Sequence, residues 1–150
     1  MAHTLHGECG GRIMRPENLH LTLVFLGDVA RDSIPLLESM VRQLQASSFT
    51  LEFGATGYWR HNRIVWAAPR ATPGPLRALV ATLEAALDQA GCRDDRRPYA
   101  PHITLIRDAR GPAMLPPLAF DWPVADFVLV ESRGERGPGY RVLATWALAG

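Results

Sequence analysis

Residues 19–27 read Leu-His-Leu-Thr-Leu-Val-Phe-Leu-Gly, and a shorter copy of this stretch returns 82 positions later. The first copy holds His20, Leu21, Thr22 and Leu23; the second holds His102, Ile103, Thr104 and Leu105. Each sits in a short apolar run of the kind that forms a strand. Side chains alternate faces along a strand, so His and Thr two apart point one way and their apolar neighbours the other. Each copy therefore offers an imidazole and a hydroxyl on a polar face, anchored by a buried opposite face. Imidazole is the side chain best suited to move protons near neutral pH, and a pair divides the work as base and acid. Threonine hydroxyls donate to phosphate oxygens and steady charge that develops in a transition state. Brought around one cleft, the four groups suit phosphoryl transfer without a metal, in which an adjacent hydroxyl or a water attacks phosphorus. A single His-x-Thr in a strand is most often a structural residue. The repetition, with Leu following each time, carries the reading.

The rest of the chain bounds the setting. Its 150 residues fit one domain with a real core. A composition of 47% hydrophobic and 21% charged residues is that of a soluble globular protein. The net charge of +1 does not suit bulk coating of nucleic acid, so any RNA contact is local, at an end or in a cleft. Cys9 and Cys92 form no motif with each other, which fits a reduced, cytoplasmic protein. No apolar run reaches the roughly 20 residues that span a membrane, and no signal peptide opens the chain.

Residues 1–11 lack hydrophobic periodicity, end in Gly-Gly and read as a flexible lead. His3, His6 and Cys9 in such a lead do not read as a metal site, and neither metal nor cofactor is expected. Residues 12–14 and 19–26 read as extended, with Pro16 breaking between them. Asp32 or Ser33 caps a helix with Pro35 in its first turn; Ile34, Leu37, Val41 and Leu44 carry it to about Ala46. Residues 49–53 alternate as a strand, 54–57 turn, and 63–67 form another strand. The linker at 69–75 holds three prolines and one glycine and marks the boundary between two halves, about 12–68 and 75–150. In the second half a helix opens at Pro75, with Leu76, Leu79, Val80, Leu83 and Leu87 as its apolar stripe and Gly91 as C-terminal cap. Residues 92–97 form a charged loop of the kind that is usually solvated surface; it lies just before the second motif, and the alternative reading has Arg96 or Arg97 meeting a polyanion. Strands are expected at 102–106, 118–122, 127–131 and 140–148. Strands mixed with a few helices argue for the α+β class.

Two His-x-Thr motifs in duplicated halves resemble the 2H phosphoesterase superfamily, and the wording is closest to the RNA 2′,3′-cyclic phosphodiesterases, formerly called 2′-5′ RNA ligases. The stretches that carry the resemblance are residues 15–23 (RPENLHLTL), 25–27 (FLG) and 101–105 (PHITL) with Arg107, then 131–133 (ESR) and 137–140 (GPGY). It covers about residue 11 to the C-terminus. The resemblance implies a single domain of two pseudo-symmetric lobes of antiparallel sheet with outer helices, one motif per lobe. It implies hydrolysis of RNA 2′,3′-cyclic phosphate ends to 2′-phosphomonoesters. His20 and His102 would be the acid and base, in an order left open, with Thr22 and Thr104 on the phosphate oxygens and Arg107 beside them. The ligase direction would join a cyclic end to a 5′-hydroxyl as a 2′-5′ bond. By strand parity, however, Arg107 faces away from His102 unless the strand bends or ends there. Tyr140 and Trp59 are aromatic rings suited to stacking on a base.

Relatives open with an apolar strand and then a helix, which residues 1–11 are too few to hold. An open strand edge and an apolar patch are therefore expected, and with them a homodimer or a partly destabilised monomer. The partners expected are RNA ends or cyclic nucleotides. The contrasting reading is an RNA-end or nucleotide binding module with weak or no catalysis.

Overall fold

The computed structural model describes residues 2–92, 97–111, 115–116, 118–134 and 139–150, and the structural statements that follow concern these residues. The chain forms two compact units that interleave along it. Met1–Thr22, Leu51–Ala71 and Ala100–Trp122 make the first, and Leu23–Thr50, Thr72–Tyr99 and Pro123–Gly150 the second. A split into halves at the proline-rich linker separates the two motifs, whereas the observed division puts His20, Thr22, His102 and Thr104 in one unit. The chain leaves the first unit directly after Thr22, inside the first motif stretch, because Leu21 is bridged to Ile103.

The first unit is built on a five-stranded sheet. Its strands are β1 (Arg12–Ile13), β2 (Phe49–Trp59), β3 (Ile64–Pro69), β4 (Ile103–Arg107) and β5 (Phe120–Val124), in the order β1-β4-β3-β2-β5. The pairs β1–β4, β4–β3 and β3–β2 are antiparallel. Along β3 the alternation is legible: Val65, Ala67 and Pro69 are buried on one face, while Trp66 and Ala68 are half-buried on the other. Ile106 pairs with Val65 and Ile103 with Ala67, so the buried face continues onto β4. Phe53 extends it on β2, stacked on Phe120 with ring centroids 4.5 Å apart. Buried side chains of this size each stabilise the fold by roughly 1.5–3 kcal/mol.

Two glycines that read in the sequence as part of a turn lie within β2, which runs on to Trp59. A Cβ on Gly57 would overlap the indole of Trp66, and one on Gly54 would overlap the side chain of Arg70. Their spacing looks like a loop, but they let side chains of β3 and the residue after it lie across β2. Gly54 also sits where the register shifts between Phe53 and Ala55.

The expected flexible lead is instead a helix, α1 (Ala2–Cys9), which lacks an amphipathic stripe and is pinned at its end. The Gly10 amide donates to the His6 carbonyl at 2.8 Å, and the His6 ring bonds the Gly11 carbonyl at 3.0 Å. The Arg110 amide donates to the Cys9 carbonyl at 2.8 Å. Cys9 is buried, and burial first, then the Glu8 carboxylate, push its thiol up, which keeps it neutral.

The second unit holds α2 (Ile34–Arg42), α3 (Gly74–Gln89) and the antiparallel pair β6 (Asp126–Ser132) and β7 (Tyr140–Ala147). Leu37 and Val41 of α2, Leu79, Leu83 and Leu87 of α3, and Leu148 form its core, with Leu23, Val24 and Leu26 packed against it. That packing explains why residues 19–26 do not pair along their length as a strand: only Leu21 makes a ladder contact, while Leu23, Val24 and Leu26 turn into this core and Phe25 stays exposed. Helix α2 ends at Arg42, short of the expected Ala46, because Ser47 bridges Ala149 instead. Ser33 stands at its N-cap without a side-chain bond, after a 3₁₀ turn at Arg31–Ser33. Gly91, just past α3, has φ +67 as its capping role requires. Among the described residues no helix is long and apolar enough to cross a membrane.

Gly11 joins α1 to the sheet with φ +86, and a Cβ there would lie 2.5 Å from the Arg107 carbonyl oxygen and 2.9 Å from the Ala109 nitrogen. Gly11→Ala should therefore cost about 1–3 kcal/mol of stability. A urea midpoint equal to that of the wild type would show that the α1–β1 connection does not constrain the fold.

Candidate active site

Both histidines are set by the same local device. Pro16 opens a 3₁₀ turn, Pro16–Asn18, whose last residue supplies a carbonyl to His20 Nδ1 at 2.7 Å. Pro98 stands at the same offset before His102, whose Nδ1 bonds the Ala100 carbonyl at 2.8 Å. A carbonyl only accepts, so Nδ1 carries a proton in both rings and Nε2 is the nitrogen left to change its protonation. The bond holds whether or not the ring is charged, so the device suits either histidine to give or to take a proton.

The two motifs meet through one contact, an isolated antiparallel bridge between Leu21 and Ile103. Carried one residue in each direction, that register sets His20 opposite Thr104 and Thr22 opposite His102, on the face away from Leu21 and Ile103. Opposed Cβ atoms lie about 4.5–5.5 Å apart and diagonal ones about 7–8 Å. Extended in that register, the imidazoles would fall on one diagonal and the hydroxyls on the other. Ile103 is buried behind them, His20, His102 and Thr104 are half-buried, and Thr22 is exposed.

Arg107 joins this face through a bulge. Trp66 pairs with Thr104 and Val65 with Ile106, so Leu105 is the extra residue on β4. Leu105 and Ile106 are buried in succession, which breaks the alternation and returns Arg107 to the side of Thr104. The objection from strand parity is answered by an irregularity that the run Ile-Thr-Leu-Ile-Arg does not announce. The turn after Arg107 is held firmly. Arg63 donates to the Asp108 and Ala109 carbonyls at 3.0 and 3.2 Å, and the Tyr58 hydroxyl donates to the Ala109 carbonyl at 3.1 Å.

Two further residues on this face are ones that the sequence reading does not single out. Arg12 lies directly across from Arg107 on β1, with no acidic partner among the described residues. Like charges in opposed positions are unfavourable unless an anion sits between them. Trp66 follows from alternation in Ile-Val-Trp-Ala-Ala-Pro, which sets it on the polar side. The proline four residues before each histidine is also a readable extension of the repeat.

Trp59 is in this unit, with its ring centroid 4.6 Å from that of His102. Tyr140 belongs to the second unit, at the start of β7 opposite Ser132. Arg97 is exposed in the second unit, and Arg96 lies outside the described residues.

A sheet face that aligns two His-x-Thr motifs beside an arginine has the make-up of a 2H-type phosphoesterase site. The family model described as the 2′-5′ RNA ligase superfamily matches residues 7–135, and the chain belongs to that superfamily. It is 38% identical to the RNA 2′,3′-cyclic phosphodiesterase of Escherichia coli (strain K12), covering 92% of this chain and 80% of that protein. It is 34% identical to the protein of the same name from Thermus thermophilus, covering 94% and 77%. Among solved structures it is similar to E. coli LigT complexed with 3′-AMP, with a TM-score of 0.86 and 36% identity over 93% of this chain and 82% of that one. A structure described as a phosphoesterase gives a TM-score of 0.89 at 34% identity, over 99% and 88%. The fold is therefore α+β, with antiparallel sheets and a few helices.

The register makes a direct geometric prediction. With Cys9 and Cys92 replaced by alanine, the pair His20→Cys and Thr104→Cys should form a disulfide under mild oxidation, because opposed positions approach the Cβ spacing a disulfide needs. The diagonal pair His20→Cys and His102→Cys should stay reduced. Efficient crosslinking of the diagonal pair alone would refute the alignment.

Proposed function

We propose that this chain is an RNA 2′,3′-cyclic phosphodiesterase, hydrolysing cyclic phosphate ends to 2′-phosphomonoesters. The observation that carries the reading is the Leu21–Ile103 bridge, which aligns on one face two imidazoles, each tied to a backbone carbonyl through Nδ1. The crystallised relative bound to 3′-AMP and the same relative bound to phosphate support a nucleotide phosphate as the ligand.

A 2′,3′-cyclic phosphate is a five-membered ring at an RNA end. One imidazole removes a proton from the attacking water at Nε2 as oxygen bonds to phosphorus. The other gives its Nε2 proton to the departing 3′-oxygen as the P–O3′ bond breaks, which leaves a 2′-phosphate. Thr22 and Thr104 donate to the non-bridging oxygens, and Arg107 supplies charge where the phosphorane oxygens become more negative. With a 5′-hydroxyl as nucleophile in place of water, the same groups give a 2′-5′ linkage. The two free cysteines accord with a reducing compartment, the cytoplasm. A homodimer is proposed from the edge position of β1 in its sheet, and sedimentation at micromolar concentration decides it.

The test is an RNA oligomer ending in a 2′,3′-cyclic phosphate, incubated with the protein in EDTA, with the monoester identified. A 2′-phosphate formed with turnover supports the reading; tight binding without turnover would make the chain a binding module. Activity abolished by EDTA and restored by a divalent ion would overturn the metal-independent mechanism.

His20→Ala and His102→Ala should each lower kcat by about 10²-fold or more, with the double variant little worse than the poorer single one. Near-normal turnover by either folded single variant would remove that histidine from the chemistry. The rate should also depend on pH as a bell, since one ring must be neutral and the other charged.

A further inference from the structure

We infer that Trp59 is a positioning residue for His102, held in place through Trp66 and Gly57; this rests on the phosphodiesterase reading of the site. Trp59 meets the His102 ring edge to face, with centroids 4.6 Å apart and planes at 75°. The Nδ1 bond to Ala100 fixes one edge of the imidazole. A hydrogen bond through one nitrogen limits rotation about the Cβ–Cγ bond but still lets the ring tilt about the Cα–Cβ bond, and the tilt displaces Nε2, on the far side of the ring from Cβ, more than it displaces Nδ1. A wall against the ring removes that freedom.

The wall is itself braced. Trp59 lies 5.5 Å from Trp66, centroid to centroid, and Trp66 lies across Gly57, where no side chain fits beneath it. The indole Nε1 of Trp66 is buried with no acceptor among the described residues. The chain of contacts runs Gly57, Trp66, Trp59, His102, and it ends on the ring whose aim the reaction needs. An aromatic ring near a nucleotide site invites the reading of a base platform, but the Trp59 ring is engaged by His102, Trp66 and His61.

The two roles differ in what they predict. A base platform contributes to binding and acts only on substrates that carry a base. A wall for His102 contributes to the chemical step and acts on every substrate alike. Trp59→Ala, Trp59→Phe and Gly57→Ala should be compared with the wild type on a 2′,3′-cyclic mononucleotide and on an abasic ribose 2′,3′-cyclic phosphate.

The expected result for Trp59→Ala is a fall of about tenfold in kcat, KM within about twofold, and the same ratio on both substrates. Trp59→Phe should recover most of the loss, because a phenyl ring keeps an aromatic face against the imidazole. Gly57→Ala should lower kcat in the same direction without altering either ring chemically, because its methyl displaces Trp66. A loss confined to KM and to the base-bearing substrate would overturn the inference in favour of base stacking. So would an unchanged kcat in folded Trp59→Ala. A wild-type protein that turns over neither of these substrates nor the cyclic-ended RNA oligomer overturns the functional reading itself, and the inference with it; activity on the oligomer alone moves the kcat and KM comparison to that oligomer with and without its terminal base, so the two failures are distinguishable.

Discussion

The site depends on one backbone contact, the bridge between Leu21 and Ile103. Without it the two motifs are separate segments with a histidine each. With it, the alternation of side chains converts a pairing of two apolar residues into a square of two imidazoles and two hydroxyls. The apolar residues do the aligning and the polar ones inherit the result. Because a slip of one residue would turn each polar pair to the buried side, burial of Ile103 behind the bridge also protects the register.

Around that square the fold uses departures from regularity rather than regular structure. The bulge at Leu105 brings Arg107 onto the face of the motifs, and the arginine and tyrosine that hold the following turn keep it there. Gly54 and Gly57 let neighbouring side chains cross β2. Gly11 lets the chain pass close to the Arg107 carbonyl. All of these lie in or directly beside the sheet that carries the second motif. The core of the second unit, by contrast, is an ordinary packing of leucine-rich helices.

The same division separates what a sequence displays from what it hides. The motif pair, the α3 stripe with its Gly91 cap, the α+β class and the strand at β3 follow from periodicity and repetition, which are visible directly. Residues 19–26 read as one strand, yet their apolar side chains serve two different units, and a run of hydrophobic residues does not say which core it enters. Helix α1 gives no signal because its anchors are hydrogen bonds at its end, one of them to a residue far along the chain, and not a stripe of its own. The glycines of β2 look like a turn because close approach and chain reversal call for the same residue. Arg107 can be named from the motif but not aimed, since one extra residue in a five-residue strand reverses its direction.

The interleaving of the two units bears on the order in which the protein can be made. Leu21 is synthesised 82 residues before its bridge partner Ile103. At roughly 5–20 residues per second, the first motif waits several seconds for the second. Until then, Leu19 to Leu26 is an apolar stretch with neither of its cores complete, since Leu148 of the second core arrives later still. Neither unit is a contiguous segment, so an N-terminal fragment cannot fold as one of them while the remainder is translated. The site therefore assembles late and all at once, and a chain cut short anywhere before its second motif holds one motif histidine with nothing to answer it.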